Sequence, residues 1–197
     1  MISDNTLFGL VLSGGKSSRM GQDKGLIAYH GMPQREYLYT ILNSLCEHTF
    51  LSIRADQQKE VGSSYKTIVD TNEFSGPYNG LLSAHQSYPE AAWLVLACDL
   101  PLMDIKGVQE LIKQRDSSKM ATTFADIKNP LPEPLCAIWE PRALRESIAY
   151  LESENSAGPR KFLINNDVKL VFPARPEVLL NANSKSDYEE AILKLNT

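Results

Sequence analysis

The run Ala92 to Cys98, A-W-L-V-L-A-C, is the most continuous apolar stretch of the chain. A short strand that is apolar on both faces must be covered on both, as the central strand of a parallel sheet packed between helices is. The segments around it alternate accordingly. Strands are predicted from Leu7 up to a glycine pair at Gly14-Gly15, and over Thr49–Ile53, Tyr65–Val69, Lys119–Ala125, Leu135–Trp139, Val168–Phe172 and Leu179–Ala182. Helical spacing of Tyr37, Leu38, Ile41, Leu42 and Leu45 predicts a helix over Gln34–Cys46. Further helices are predicted to open at Gly76–Gly80, over Asp104–Arg115, from Pro141 to about Leu151, at Gly158-Pro159, and after a Ser184 cap with Tyr188, Ala191, Ile192 and Leu195 on its apolar face. The expected fold class is α/β: a three-layer sandwich around a mostly parallel, mixed sheet.

The first strand runs straight into Ser13-Gly14-Gly15-Lys16-Ser17-Ser18-Arg19-Met20-Gly21-Gln22-Asp23-Lys24. Glycines let backbone N–H groups approach an anion, and Lys16, Arg19 and Lys24 supply fixed positive charge, so this loop is a candidate phosphate site. A plain glycine-rich turn with a basic rim is the structural alternative. Ser75-Gly76-Pro77-Tyr78-Asn79-Gly80 is a second candidate anion or nucleotide contact, because it opens a helix and helix N-termini present free N–H donors; a capped turn is the alternative there. Asp70 and Asp99 each close a strand at its carboxyl end, where open α/β sheets bind ligands. Asp99, in Cys98-Asp99-Leu100-Pro101, is the candidate metal ligand, and a helix N-cap role is open to Asp99 or Asp104. The proline-dense Asn129 to Pro134 segment is stiff enough to form a cleft wall.

Two familiar phosphate loops fail on register. Gly15-Lys16-Ser17 would close G-x-x-x-x-G-K-[ST] only if position 10 were glycine, and it is Leu10; the pair Gly14-Gly15 likewise lacks the spacing of G-x-G-x-x-G. A net charge of −4 argues against a broad nucleic-acid or anionic-membrane face, so any cationic function is local. The first residues lack a basic, apolar leader pattern and no run reaches membrane-spanning length, so the expected location is cytoplasmic. Cys46, Cys98 and Cys136 are odd in number and scattered, as are His30, His48 and His85; reduced thiols and no catalytic histidine are expected.

Leu12-Ser13-Gly14-Gly15 through Arg19-Met20-Gly21 and Asp23-Lys24 resembles the L-x-G-G-x-x-x-R-M-G-x-D-K signature of the nucleotidyltransferases that activate sugars and cofactors, and specifically the molybdenum cofactor guanylyltransferase family. Gly76-Pro77-x-x-Gly80 is similar to its G-P-L-x-G loop, Cys98-Asp99-x-Pro101 to its C-D-x-P, and Asn181-Ala182-Asn183-Ser184 to its late N-x-N-T. The chain departs from the pattern at Gln34-Arg35, Arg54 and Tyr78-Asn79.

The resemblance implies a Rossmann-like nucleotidyltransferase fold in a single domain over 1–197, with nucleotide bound in the N-terminal part and acceptor in the C-terminal part. It implies transfer of GMP from GTP to the terminal phosphate of the molybdopterin cofactor, with Mg²⁺ as cofactor and without a covalent intermediate. Arg19, Lys24 and Asp99 become the catalytic set. The nucleotide would be held by Leu12, Ser13, Gly14, Gly15, Arg19, Lys24, Asp70, Gly76, Pro77, Gly80 and Asp99, the metal by Asp99, and the acceptor by Asn181, Asn183, Arg160 and Lys161. Related cytidylyltransferases carry A-A-G or A-G where this chain has Gly14-Gly15, which favours guanine. A nucleotidyltransferase using CTP or a sugar-phosphate acceptor, or a non-catalytic nucleotide-binding domain, is the alternative. Other cofactor-biosynthesis or acceptor proteins are further candidate partners; nucleic acid and membrane are not.

Overall fold

A computed structural model describes residues 6–14, 23–153 and 158–196. Seven strands form one sheet: β1 (Leu7–Leu12), β2 (His48–Ile53), β3 (Thr67–Val69), β4 (Ala92–Ala97), β5 (Ala121–Phe124), β6 (Cys136–Trp139) and β7 (Lys169–Val171), in the order β3-β2-β1-β4-β6-β5-β7. Strands β3, β2, β1 and β4 run parallel, and β7 is parallel to β5. Strand β6 is antiparallel to both of its neighbours. It follows β5 without an intervening helix, and a connection that stays at one end of a sheet must return antiparallel. The proline-rich segment is that connection, so it lies beside the carboxyl end of β4.

Among the described residues, six helices complete the layers: α1 (Gln34–Asn43), α2 (Pro77–Ser87), α3 (Ile105–Lys113), α4 (Pro141–Ser153), α5 (Pro159–Ile164) and α6 (Lys185–Leu195). Alternate β4 side chains separate two cores, as the period of two requires. Leu94 and Leu96 join Leu38 and Leu42 of α1 and Val108 and Leu111 of α3. Trp93 and Val95 join Tyr78, Leu81 and Leu82 of α2, Leu144 of α4 and Phe162 of α5. The helices therefore cover both faces, as the apolar run requires. Helix α6 lies apart, packing Ala191 on Ile27, Tyr29 and Ala182. Its Ser184–Asp187 capping box and the Asp104 cap of α3, whose side chain accepts from the Gly107 N–H at 2.9 Å, satisfy N-terminal amides.

One expected strand is absent. Leu179–Ala182 forms no ladder: Pro176–Leu179 makes a 3₁₀ turn, closed by the Leu180 N–H on the Glu177 carbonyl, and irregular chain follows. Pro176 fixes φ at the start of the turn and has no N–H for a ladder. The segment then crosses the end of β4, where the Ala182 N–H donates to the Asp99 carbonyl at 2.8 Å. That crossing brings Asn181 and Asn183 to the sheet's carboxyl edge.

Gly80 is where α2 comes closest to the sheet. A β-carbon there would collide with Ser52 Oγ and lie 2.8 Å from Leu12 Cδ2. Gly80→Ala should therefore cost about 1–3 kcal/mol through overpacking, read as a lower urea midpoint; an unchanged midpoint would refute the close approach.

Candidate active site

The carboxyl ends of β1 to β4 open into a cavity of about 590 Å³. Its walls include Leu12, Ser13 and Gly14 after β1, Asp70 after β3, Gly76, Pro77 and Gly80 at the start of α2, and Asp99 after β4, with Lys24 reaching in from the first loop. Gly15 and Arg19 lie outside the described residues. A smaller cavity of about 360 Å³ adjoins it and is lined by Arg160, Asn181 and Asn183 together with Leu100, Glu133 and Leu135. Asp99, Leu135 and Asn183 line both, so they mark the junction. Lys161, the next residue on α5, is exposed and lines neither.

Lys24 is held at that junction. Its Nζ donates to Asn183 Oδ1 and stands 3.8 Å from Asp99 Oδ2. Burial pushes the Asp99 carboxyl above its ordinary range, and the Lys24 charge pulls it partly back. Asp99 does not cap a helix; that role belongs to Asp104, which also pairs with Arg175 at 2.6 Å. The turn carrying Asp99 is anchored by Gln34 Nε2 donating to the Leu100 carbonyl (3.1 Å) and His30 Nε2 donating to the Pro101 carbonyl (2.8 Å), besides the Ala182 contact.

Asp70 is buried against the loop of β1. Ser52 Oγ donates to its Oδ1 at 2.7 Å, and a β-carbon on Gly14 would fall 2.6 Å from its Oδ2. Glycine at 14 thus makes room for a carboxylate, a packing reason independent of which base is bound. Burial raises the Asp70 carboxyl, with the Ser52 hydrogen bond and the Arg54 charge opposing the rise.

The sequence reading missed the residue that ties these loops together. Gln57, 1% exposed, donates through Nε2 to Asp23 Oδ2 (2.7 Å) and to the Ser13 carbonyl (3.3 Å), while its Oε1 accepts from the Arg54 N–H (2.9 Å). Asp23 Oδ1 in turn accepts from the Gly25 N–H at 2.9 Å, which fixes the turn carrying Lys24. Arg54 Nη1 donates to the Gly14 carbonyl at 2.8 Å. Gln57 lies in a polar stretch with no periodicity, so nothing in its neighbourhood marks it as buried. Asn72 and Phe74 were missed likewise. They complete the outer wall, where Asn72 adopts φ +61° and accepts from Asn79 Nδ2 at 3.3 Å.

A half-buried carboxylate facing a lysine at the carboxyl edge of parallel strands, beside two adjoining cavities, lies where open α/β sheets bind their ligands. The chain belongs to the MobA-like NTP transferase domain family, whose model matches residues 9–170; these are nucleotidyltransferase enzymes. It is 40% identical over 190 residues to a molybdenum cofactor biosynthesis bifunctional protein of Synechocystis sp., covering 95% of this chain and 54% of that one, so it spans about half the length of that relative. It is 28% identical over 193 residues to a probable molybdenum cofactor guanylyltransferase of Nostoc sp., covering 93% of this chain and 89% of that protein. The solved structure of molybdopterin-guanine dinucleotide biosynthesis protein A from Archaeoglobus fulgidus superposes with a TM-score of 0.77 at 20% identity, over 96% of this chain and 98% of that one, and shares the fold.

Two outcomes follow from this geometry. Because the folded Asp70 carboxyl is raised above its ordinary 3.8, the folded state holds that proton more tightly, and stability falls as pH rises through and above that value. Asp70→Asn should then unfold at a higher temperature than wild type at pH 7, with the difference vanishing near pH 3.5; a pH-independent difference would exclude charge burial as its cause. Gln57→Glu sets a carboxylate against that of Asp23 and should cost about 1–3 kcal/mol in urea unfolding. Adding Asp23→Asn restores a donor and should recover at least half of the loss; failure to recover would break the proposed link.

Proposed function

We propose that the protein transfers GMP from GTP to the terminal phosphate of the molybdopterin cofactor, forming molybdopterin guanine dinucleotide and releasing pyrophosphate. The observation that carries this reading is the junction at Asp99 and Asn183, where a nucleotide-sized cavity and a smaller one meet beside the Lys24 ammonium. A phosphate oxygen of the acceptor attacks the α-phosphorus of the nucleotide, the bond from that phosphorus to the β-phosphate oxygen breaks, and the electron pair leaves with pyrophosphate. In-line displacement of this kind needs positioning and charge neutralisation more than proton transfer.

In this reading the backbone of Leu12 to Gly15 holds the base and ribose, with Asp70 close by, and Gly76, Pro77 and Gly80 frame the opposite side. Lys24 and Arg19 neutralise the triphosphate. Lys24 is pre-positioned for this by Asn183 and Asp99, which keep its ammonium at the boundary between donor and acceptor. Asn181, Asn183 and Arg160 receive the acceptor, whereas Lys161, exposed and outside both cavities, serves its approach. The nucleotide half and the acceptor half form a single domain, and the enzyme works in the cytoplasm.

The family generally needs a divalent metal, and the residues fit Mg²⁺. The Asp99 carboxylate on the cavity wall suits an ion that takes one carboxylate and completes its shell with water and phosphate oxygens. Asp99 would hold it. Bound there, Mg²⁺ would withdraw charge from the phosphate oxygens and from the leaving pyrophosphate.

With Mg²⁺ present, GTP at one hundred times its dissociation constant should raise the melting temperature by about 5–10 °C, corresponding to about 2.7 kcal/mol of linkage, and CTP by less. A larger rise with CTP would overturn the guanylyl assignment. Asp99→Asn should fold normally and lose at least about 100-fold in metal-dependent turnover, measured as pyrophosphate release; full turnover would remove Asp99 from the site.

A further inference from the structure

Arg160 meets an incoming anion with part of its guanidinium already engaged. Its Nη2 is paired with Glu133 Oε2 at 2.7 Å, and its Nε donates to the Pro132 carbonyl at 3.2 Å. Glu133 is the less expected partner. It sits in the connection between β5 and β6 with its backbone fixed three times: its N–H on the Phe124 carbonyl (2.9 Å), and its carbonyl accepting from Thr123 Oγ1 (2.9 Å) and the Cys136 N–H (3.0 Å). Its side chain is only 22% exposed and lines the smaller cavity between the apolar Leu100 and Leu135 and the amides of Asn181 and Asn183. A structural salt bridge at the rim needs neither this burial nor this rigid mount.

From this arrangement we infer that Glu133 determines specificity for the acceptor, by accepting hydrogen bonds from the 2-amino and N3–H donors of a pterin ring. The inference rests on the guanylyl-transfer reading for the identity of the acceptor. An ionised carboxylate has about four acceptor positions and no donor. Arg160 uses one of them, and its charge pulls the Glu133 carboxyl back against the upward push of burial. The 2-amino-4-oxo pyrimidine edge places two N–H donors side by side, much as a guanidinium fork does, and so matches what a carboxylate accepts in parallel. Leu135 offers apolar contact to the flat ring. Arg160, held by the same carboxylate, remains beside the ring with its guanidinium available to the anionic part of the acceptor.

The test uses pterin and lumazine: lumazine keeps the N3–H but carries a carbonyl in place of the 2-amino group, with a hydrogen on N1. Each is titrated by fluorescence against protein saturated with GTP, so that the larger cavity is filled. Wild type should bind pterin at least about tenfold more tightly than lumazine, because a site built to accept from a donor rejects the analogue lacking it. Glu133→Gln, with one donor and one acceptor, should lose or reverse that preference. Arg160→Met should keep it, which separates reading of the ring from merely holding Arg160. Thermal protection by GTP reports whether each variant is folded. If Glu133→Gln does not fold, Glu133→Asp takes its place and should show a weakened preference for pterin. An unchanged preference in whichever Glu133 variant folds, or equal binding of both probes by wild type, would overturn the role of Glu133 and leave the transferase reading intact. Wild type that binds GTP but neither probe would overturn the pterin acceptor itself, and this role with it.

Discussion

The site depends on the parallel pairing of β1 with β4. In that register Leu12 lies opposite Ala97, so both strands end at the same level, and the turns after them, Ser13-Gly14 and Cys98-Asp99, emerge side by side. Parallel strands send their carboxyl ends to one edge, which brings residues more than eighty positions apart into one cavity. Everything else at the edge is a way of holding loops in place. Gln57 joins the first loop to the turn carrying Lys24, Arg54 takes the Gly14 carbonyl, and Gln34, His30 and Ala182 fix the Asp99 turn from three directions.

Three carboxylates share this edge, and burial raises the pKa of each: Asp70, Asp99 and Glu133. Each has its own compensation, Ser52 and Arg54 for the first, Lys24 for the second and Arg160 for the third. Half-buried ion pairs are poor stabilisers because desolvation offsets most of their attraction. Their benefit here is geometric. A lysine or arginine held by a carboxylate has already surrendered rotamer freedom, so less is lost when a phosphate arrives.

Much of this was legible beforehand. The two-sided apolar pattern of Ala92–Cys98 demanded helices on both faces, and the chain supplies them. The prolines between Asn129 and Pro134 indicated a stiff wall, and that segment does border the smaller cavity through Glu133. Strand ends were less exact, because Lys119, Ala125, Val168 and Phe172 extend the β pattern without joining a ladder. Leu179–Ala182 was misread because its short apolar alternation fits a strand as well as it fits a turn followed by a crossing. Gln57 and Glu133 could not be recognised at all. A polar residue in a polar stretch looks solvated until the tertiary structure buries it, and the pairing of Glu133 with Arg160 joins residues separated by an entire helix.

The antiparallel strand β6 also bears on how the chain is made. It is inserted between β4 and β5, so β4 has no neighbour on that side until residues 136–139 have emerged. At about 5–20 residues per second, the interval of roughly forty residues after Ala97 takes about 2–8 s to synthesise. Throughout that time the most apolar strand of the sheet presents an unpaired edge, of the kind that recruits other chains. The nascent protein is thus most vulnerable to aggregation after β1 to β4 have been translated and before β6 can close the sheet.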